Sequence, residues 1–284
     1  MHYKLVKAVI KVSRTGNLLI IALTQLLASA FLISGETMAS SLMNKRLWLL
    51  MFSTAAIAAA GNIINDYYDI KIDLINKPEK VVVGKDLKRR KAMALHTLFN
   101  IMGIAIGALL SWKIALVNLT SAFALWYYSN QLKRKAFIGN VVVAALTGMS
   151  IWIVGLLYSK FSMLLLLYTL FAFFFNLIRE IVKDIVDMSG DKTFGCTTLP
   201  IIWGIRKTKR FMLWVTGVYY LTLLGLTAWY QDIQIMAFTS LLILPVGFIF
   251  YFLLKADTRK KFRKITVYTK IIMLLGVLSM ALWI

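Results

Sequence analysis

Very little in this sequence can tie the chain together covalently or through zinc. Cys196 is its single cysteine, which excludes an internal disulfide and a cysteine-rich metal site. The two histidines, His2 and His96, have no zinc-type spacing. Charged residues are scarce, at 16% of the 284 residues against 60% hydrophobic ones. That balance excludes an ordinary soluble domain and predicts an all-α, polytopic membrane protein. No soluble domain, low-complexity tract or long linker interrupts it. Acidic residues are scarcest of all: 12 Asp and Glu stand against 33 Lys and Arg, a net charge of +21. In a membrane protein such an excess reports cytoplasmic loops and attraction to anionic lipid. Membrane lipids are therefore expected partners, and nucleic acid is not.

What the chain has in abundance is apolar runs. Nine segments approach the ~20 residues that cross a bilayer. They lie at about 17–35, 47–65, 92–111, 114–130, 138–158, 162–182, 210–230, 233–254 and 265–284. Counting Lys and Arg between them puts 29 on one side and four on the other, the four being Lys45, Arg46, Lys113 and Lys160. The positive-inside bias then places the N-terminus on the cytoplasmic side of the cell (inner) membrane, and Ile284 outside. Residues 1–16 carry Lys4, Lys7, Lys11 and Arg14 among apolar residues. They read as a short interfacial helix burying Val6, Val9 and Ile10, leading into a retained first span rather than a signal peptide.

The few acids are not scattered. Nine of the 12 fall in two cytoplasmic segments. The first contains Asn62, Asn65, Asp66, Asp69 and Asp73, at the end of the second span. At ~100° per residue, Asn62, Asp66, Asp69 and Asp73 share an arc of roughly 60° on a helix. The second contains Asp184, Asp187 and Asp191, with the same D-x-x-D-x-x-x-D spacing and Glu180 in the place of Asn62. Gly190 is expected to weaken the helix just before Asp191. Carboxylates this close repel, and desolvation at a membrane surface adds to the cost, so a cation is expected among them. Two facing acidic sets suit Mg²⁺, which binds few carboxylates and keeps positions for phosphate and water.

Basic residues surround both sets. The 74–91 loop offers Lys77, Lys80 and Lys85, suited either to the outer oxygens of a diphosphate or to lipid headgroups. Lys133 and Arg134 follow the fourth span, at the mouth of the same cavity, after Tyr127 and Tyr128 at aromatic-belt positions. Arg179 and Lys183 either pair with Glu180 and Asp184 or contact phosphate. Met149, Trp152, Phe171 and Phe173 to Phe175 are candidates for helix packing or for the wall of an apolar tunnel.

These residues resemble the UbiA superfamily of intramembrane prenyltransferases. The N-D-x-x-D-x-x-x-D stretch from Asn65 to Asp73 is similar to its first signature, and Asn76-Lys77-Pro78 follows suit. The second signature is matched between Lys183 and Pro200, and YSNQLKR before Gly139-Asn140 resembles the family's loop motif. Arg14 and Asn17 stand where an R-P-x-N element is common, although Thr15 replaces the proline. The segment from Glu79 to Val83 and the pair Lys135-Ala136 also depart from the family pattern.

The resemblance implies one domain over residues 1–284, with the acidic segments 62–73 and 180–191 as a pseudo-repeat. Nine helices would surround a central cavity under a cytoplasmic cap of motif loops. Asn62, Asn65 and the six aspartates would hold Mg²⁺, and the aspartates would be catalytic. Asn17, Lys77, Tyr128, Lys133, Arg134, Arg179 and Lys183 would bind the diphosphate of a polyprenyl donor. The second motif is most like the ether-lipid branch, which alkylates the hydroxyl of a prenylglycerol phosphate. Prenylation of an aromatic quinone precursor is the alternative. A cation transporter is the rival of another class, but its acids are expected at mid-bilayer. A CDP-alcohol phosphotransferase is disfavoured because D-G-x-x-A-R is missing.

Overall fold

A computed structural model describes residues 2–283, with side chains from Leu5 onward. The side chains of His2 and Lys4, and the whole of Ile284, lie outside the described residues. Twelve α-helices carry the fold: α1 (His2–Ser13), α2 (Thr15–Leu32), α3 (Met38–Met43), α4 (Lys45–Asn76), α5 (Arg89–Leu110), α6 (Trp112–Asn130), α7 (Ile138–Tyr158), α8 (Met163–Thr193), α9 (Leu199–Tyr230), α10 (Ile233–Leu241), α11 (Ile243–Lys255) and α12 (Arg259–Leu278). Polar caps fix several starts. The Asn44 side chain accepts from the Arg46 and Leu47 amides, Ser111 from Ile114, Ser162 from Leu165 and Thr258 from Lys261. Each such cap contributes ~1 kcal/mol.

Eight segments among the described residues are long and apolar enough to cross a membrane, with α10 and α11 forming one of them. The fourth expected span, 114–130, is helical as α6 but is not one of the eight. It carries Asn118, which is buried and donates to Ser53 Oγ at 2.6 Å and to the Gly103 carbonyl at 3.0 Å. Side chains that face outward are largely apolar, with Leu109, Trp229 and Leu244 each about four-fifths exposed. A patch of this extent fits a lipid surface.

Two expected spans continue as helix past bilayer-spanning length, as the helical spacing of the acids required. The spans ending at 65 and 182 continue as helix to Asn76 and Thr193. Each gains about three turns, ~16 Å at 1.5 Å per residue. Both acidic sets lie on these extensions or at their start. At the N-terminus the structure adds an inward face to the expected outward one. α1 buries Ala8 and Val12 against the chain, while Val6 and Ile10 are exposed. The helical period puts the small residue inward and leaves the larger apolar ones free to enter a bilayer surface.

Gly190 does not interrupt α8. Its amide donates to Asn76 Oδ1 at 3.1 Å, and a Cβ at this position would meet the Asn76 side chain at 2.5 Å. The glycine is there for close approach of α4, not for flexibility. Gly204 is the opposite case. Its φ of 75° breaks α9 after one short turn, so a short piece from Leu199 precedes the long helix that contains the expected 210–230 span.

α8 sits at the centre. Phe174, Phe175, Ile178, Ile181 and Val182 are all buried, and Phe174 stacks on Tyr219 of α9 with ring centroids 4.0 Å apart. Lipid is as apolar as these side chains, so close packing holds α8 in place. Trp152 instead stacks on Phe161.

Candidate active site

The two helical extensions bring the acidic sets together at one end of the bundle. Lys77, the residue that ends α4, reaches Asp187 of α8, with Nζ 2.6 Å from Oδ2. Beside it Asn76 Nδ2 donates to the Asp187 carbonyl at 2.9 Å, and Ser189 Oγ donates to Asn76 Oδ1 at 3.2 Å. The end of one acidic helix is thus bonded to the middle of the other.

The first set is also met by two cations from elsewhere in the chain, and the second by cations of its own helix. Arg14, between α1 and α2, donates to Asp66 Oδ1 at 2.7 Å. Lys133, from the short turn between α6 and α7, pairs with Asp69, whose Oδ2 also accepts from Asn65 Nδ2 at 2.8 Å. Burial alone lowers the pKa of the Lys133 ammonium, but the Asp69 carboxylate and then Tyr128 outweigh it and raise the value above that of an ordinary lysine. Arg179 and Lys183 both pair with Glu180, at 2.6 and 3.3 Å. Asn140 Nδ2 donates to Asp184 Oδ2 at 2.8 Å. Asp191 is buried, and Asp73 is half-buried. Burying one partner of such pairs without the other costs several kcal/mol, so the Arg14 and Lys133 pairs fix α4 against the α1–α2 junction and the turn after α6.

Not every expected residue reaches the acids. Lys80 and Lys85 are exposed on their loop. The Arg134 side chain is exposed, and its carbonyl accepts instead from the Thr197 amide at 2.7 Å and hydroxyl at 2.9 Å. Asn62 Nδ2 donates to the Ser13 carbonyl at 3.0 Å, tying α4 to the end of α1. Asn17 Oδ1 accepts from Lys270 at 3.0 Å.

A cavity of about 350 Å³ opens from this end into the bundle. Its polar end is lined by Arg14, Asn65, Tyr128, Arg179, Glu180 and Lys183. Its far end is lined by Met149, Phe171, Val277 and Met280. Of the candidate tunnel residues, Met149 and Phe171 line it, while Phe174 and Phe175 are buried in the helix core.

The donor chemistry of the acidic end fits a hard divalent cation. Its side-chain ligands are carboxylate and amide oxygens, and Asp187 Oδ1 is buried without a hydrogen-bond partner. Among the described residues no three acidic, histidine or cysteine side chains converge closely enough to hold a metal alone. A metal shell here needs oxygens from outside the protein.

The same arrangement of helices and motifs recurs in known proteins. A model of the UbiA prenyltransferase family matches residues 20–279. The chain belongs to the UbiA prenyltransferase family. The digeranylgeranylglyceryl phosphate synthase of Sulfurisphaera tokodaii is 35% identical to it over 217 residues, 75% of this chain and 76% of that one. The enzyme of the same name from Methanosphaera stadtmanae is 32% identical over 225 residues, 78% of this chain and 82% of that one. A solved structure concerned with digeranylgeranylglyceryl phosphate synthase in membranes aligns over 99% of this chain and 100% of its own, with a TM-score of 0.72 and 24% identity. A UbiA homolog from Archaeoglobus fulgidus bound to GPP and Mg²⁺ aligns over 96% and 99%, with a TM-score of 0.71 and 15% identity. At these identities the solved structures establish a shared UbiA fold.

For this UbiA family member, sequence reasoning missed the roles of Asn76 and Asn140. Both belong to motif stretches, Asn76-Lys77-Pro78 and Gly139-Asn140, but the sequence assigns neither a contact. A lone asparagine carries no periodic or charge signal, so only the helix contact reveals what it bonds. As a UbiA protein with eight such apolar segments, the chain is an integral membrane protein and a prenyl-transferring enzyme.

Proposed function

We propose that the chain transfers a geranylgeranyl-type group from its diphosphate to the free hydroxyl of a prenylglycerol phosphate, as the names of its relatives describe. One observation carries the reading. Asn62, Asn65 and Glu180 of the two acidic helices, with Arg14, Arg179 and Lys183, line the polar end of a cavity whose other end is apolar, which suits a charged headgroup joined to a long hydrocarbon tail. Prenylation of a quinone precursor has no comparable support, since the relatives are ether-lipid synthases.

In this reading Asp66, Asp69, Asp73, Asp184, Asp187 and Asp191 hold Mg²⁺, with Asn62 and Asn65 as flanking ligands. The ion supplies countercharge to the departing diphosphate when it is bound. Lys77 and Lys133 exchange their carboxylate partners for phosphate oxygens. Arg179, Lys183, Tyr128 and Asn17 line the route of the headgroup, with Arg134 at its outer edge. The allylic C–O bond breaks, and its electron pair leaves with the diphosphate. The glycerol hydroxyl oxygen bonds to the allylic carbon and passes its proton to the departed diphosphate. Apolar walls keep water from the carbocation during that interval.

The same proposal takes α6 as a ninth span and the motif loops as a cap on the cytoplasmic face of the cell membrane. It takes residues 1–284 as one domain with a twofold acidic repeat. The 29-to-4 division of basic residues supports that orientation. A reporter in the 79–86 loop should read as cytoplasmic and one after Ile284 as external. Membranes containing the protein should convert labelled geranylgeranyl diphosphate and a prenylglycerol phosphate into the diether, identified by mass. Product only on an aromatic acceptor would overturn the ether-lipid assignment.

A further inference from the structure

Four cations line the central cavity: Arg14, Arg179, Lys183 and Lys270. Three of them are neutralised by carboxylates, Arg14 by Asp66 and the other two by Glu180. Lys270, on α12, has no carboxylate partner among the described residues. Its Nζ donates only to Asn17 Oδ1, at 3.0 Å. An amide oxygen orients an ammonium but leaves its charge uncompensated. Beside an apolar cavity, where the effective dielectric is low, an uncompensated charge is a strong attractor for an anion.

Its position is equally specific. Lys270 is exposed on one side and faces the cavity on the other, so it stands at an edge of the cavity between α2 and α12. Asn17 follows Arg14 by three residues, about one helical turn or ~5 Å of rise. The Lys270–Asn17 pair is therefore about one turn along the chain from the Arg14–Asp66 pair that borders the first acidic set.

The reaction proposed above involves two anions, the donor's diphosphate and the acceptor's phosphate monoester. The acidic sets and their cations account for the first. We infer that Lys270, oriented by Asn17, binds the phosphate of the acceptor and so selects a phosphorylated glycerol lipid over its neutral alcohol. On a glycerol carrying one phosphate and two prenyl ethers, the hydroxyl alkylated last lies within two carbons of the phosphate-bearing carbon. A phosphate at Lys270 thus holds that hydroxyl within the cavity whose polar end is lined by residues of both acidic helices. An ammonium suits this task because it binds phosphate as a point charge on a flexible stem, and the acceptor must enter from the lipid side.

The inference rests on the proposed acceptor class, and its test separates the two. Full-length wild type, Lys270→Met and Lys270→Arg, in detergent, are assayed with geranylgeranylglyceryl phosphate and with the phosphate-free alcohol. Lys270→Met should raise the KM for the phosphorylated acceptor roughly ten- to a hundredfold, the loss expected for one charge-assisted hydrogen bond. The donor KM should not move, the two proteins should use the alcohol alike, and Lys270→Arg should restore most of the difference. An unchanged acceptor KM in an active variant overturns the inference and leaves the lysine to bilayer headgroups. A rise confined to the donor KM also overturns it, by assigning Lys270 to the diphosphate. If wild type alkylates no glycerol phosphate, the functional reading itself fails. The thermal shift given by geranylgeranylglyceryl phosphate without donor then decides the present point. A shift lost in Lys270→Met upholds it, and an equal shift overturns it.

Discussion

Lys77 and Asp187 join the two acidic helices, with Nζ of the residue that ends α4 lying 2.6 Å from Oδ2 of the middle acid on α8. The other oxygen of that carboxylate, Oδ1, is buried and unpartnered. One side of Asp187 thus fixes the distance between the helices, and the other remains available to a ligand. Asp69 is similar in kind, since its partner Lys133 comes from a third element.

Replacing Asp69 or Asp187 with alanine should lower prenyl transfer by at least ~10²-fold, the scale seen when one preorganised electrostatic contact is removed. Both variants should still insert and keep their helical circular dichroism. Near-wild-type turnover in saturating Mg²⁺ would rule out the two-set model.

Gly190 and Asn76 should be energetically coupled. Alanine at Gly190 pushes a methyl group into the Asn76 side chain and should cost ~1–3 kcal/mol. Asn76→Ala loses its bonds to the Gly190 amide and the Asp187 carbonyl. The double variant should be less unstable than the sum of the two, because the shortened side chain makes room for the methyl group. Thermal unfolding of the four proteins in one detergent measures this, and simple additivity would deny the contact.

Cys196 lies in the turn after α8, where burial, then the Asp191 carboxylate, raises its thiol pKa. A raised pKa keeps the thiol protonated and unreactive in the native state. The linkage contributes stability that is intact below the pKa of the unfolded thiol and is lost as pH rises through the folded one. Iodoacetamide at pH 7–8 should therefore modify Cys196 slowly in the folded protein and rapidly after denaturation, as followed by mass. Equal rates would show that the turn after α8 is open to solvent.

Metal and donor should bind together. Mg²⁺ binds few carboxylates and keeps positions for phosphate and water, so the diphosphate is expected to complete its shell. A non-hydrolysable donor analogue should tighten Mg²⁺ binding, and Mg²⁺ should tighten the analogue by the same factor. Calorimetry in both orders tests this. Analogue affinity indifferent to chelation of all divalent metal would leave the diphosphate to Lys and Arg alone.

The order of apolar runs, the repeated spacing of acids and the basic bias were open to a reader of the sequence, because each is a one-dimensional pattern. Those patterns led to the membrane class, the family and the six aspartates. The helical arc of the acids was readable from their spacing, but the contact between the two helix ends was not. Hydropathy falls where Asp66 and Asp184 begin, yet the helices continue about three turns because each packs on the other. Gly190 looked like a weak point by propensity, and the Asn76 contact makes it a fitting surface instead. The choice among basic residues was likewise three-dimensional. The Asn76-Lys77-Pro78 stretch set Lys77 apart from Lys80 and Lys85, but only the structure shows the end of α4 pointing it at Asp187. Lys270 stands 86 residues from Asp184 and 253 from Asn17. Only the folding of α12 against α2 brings that charge to the cavity, since charge type is written in the chain and charge neighbourhood is set by packing.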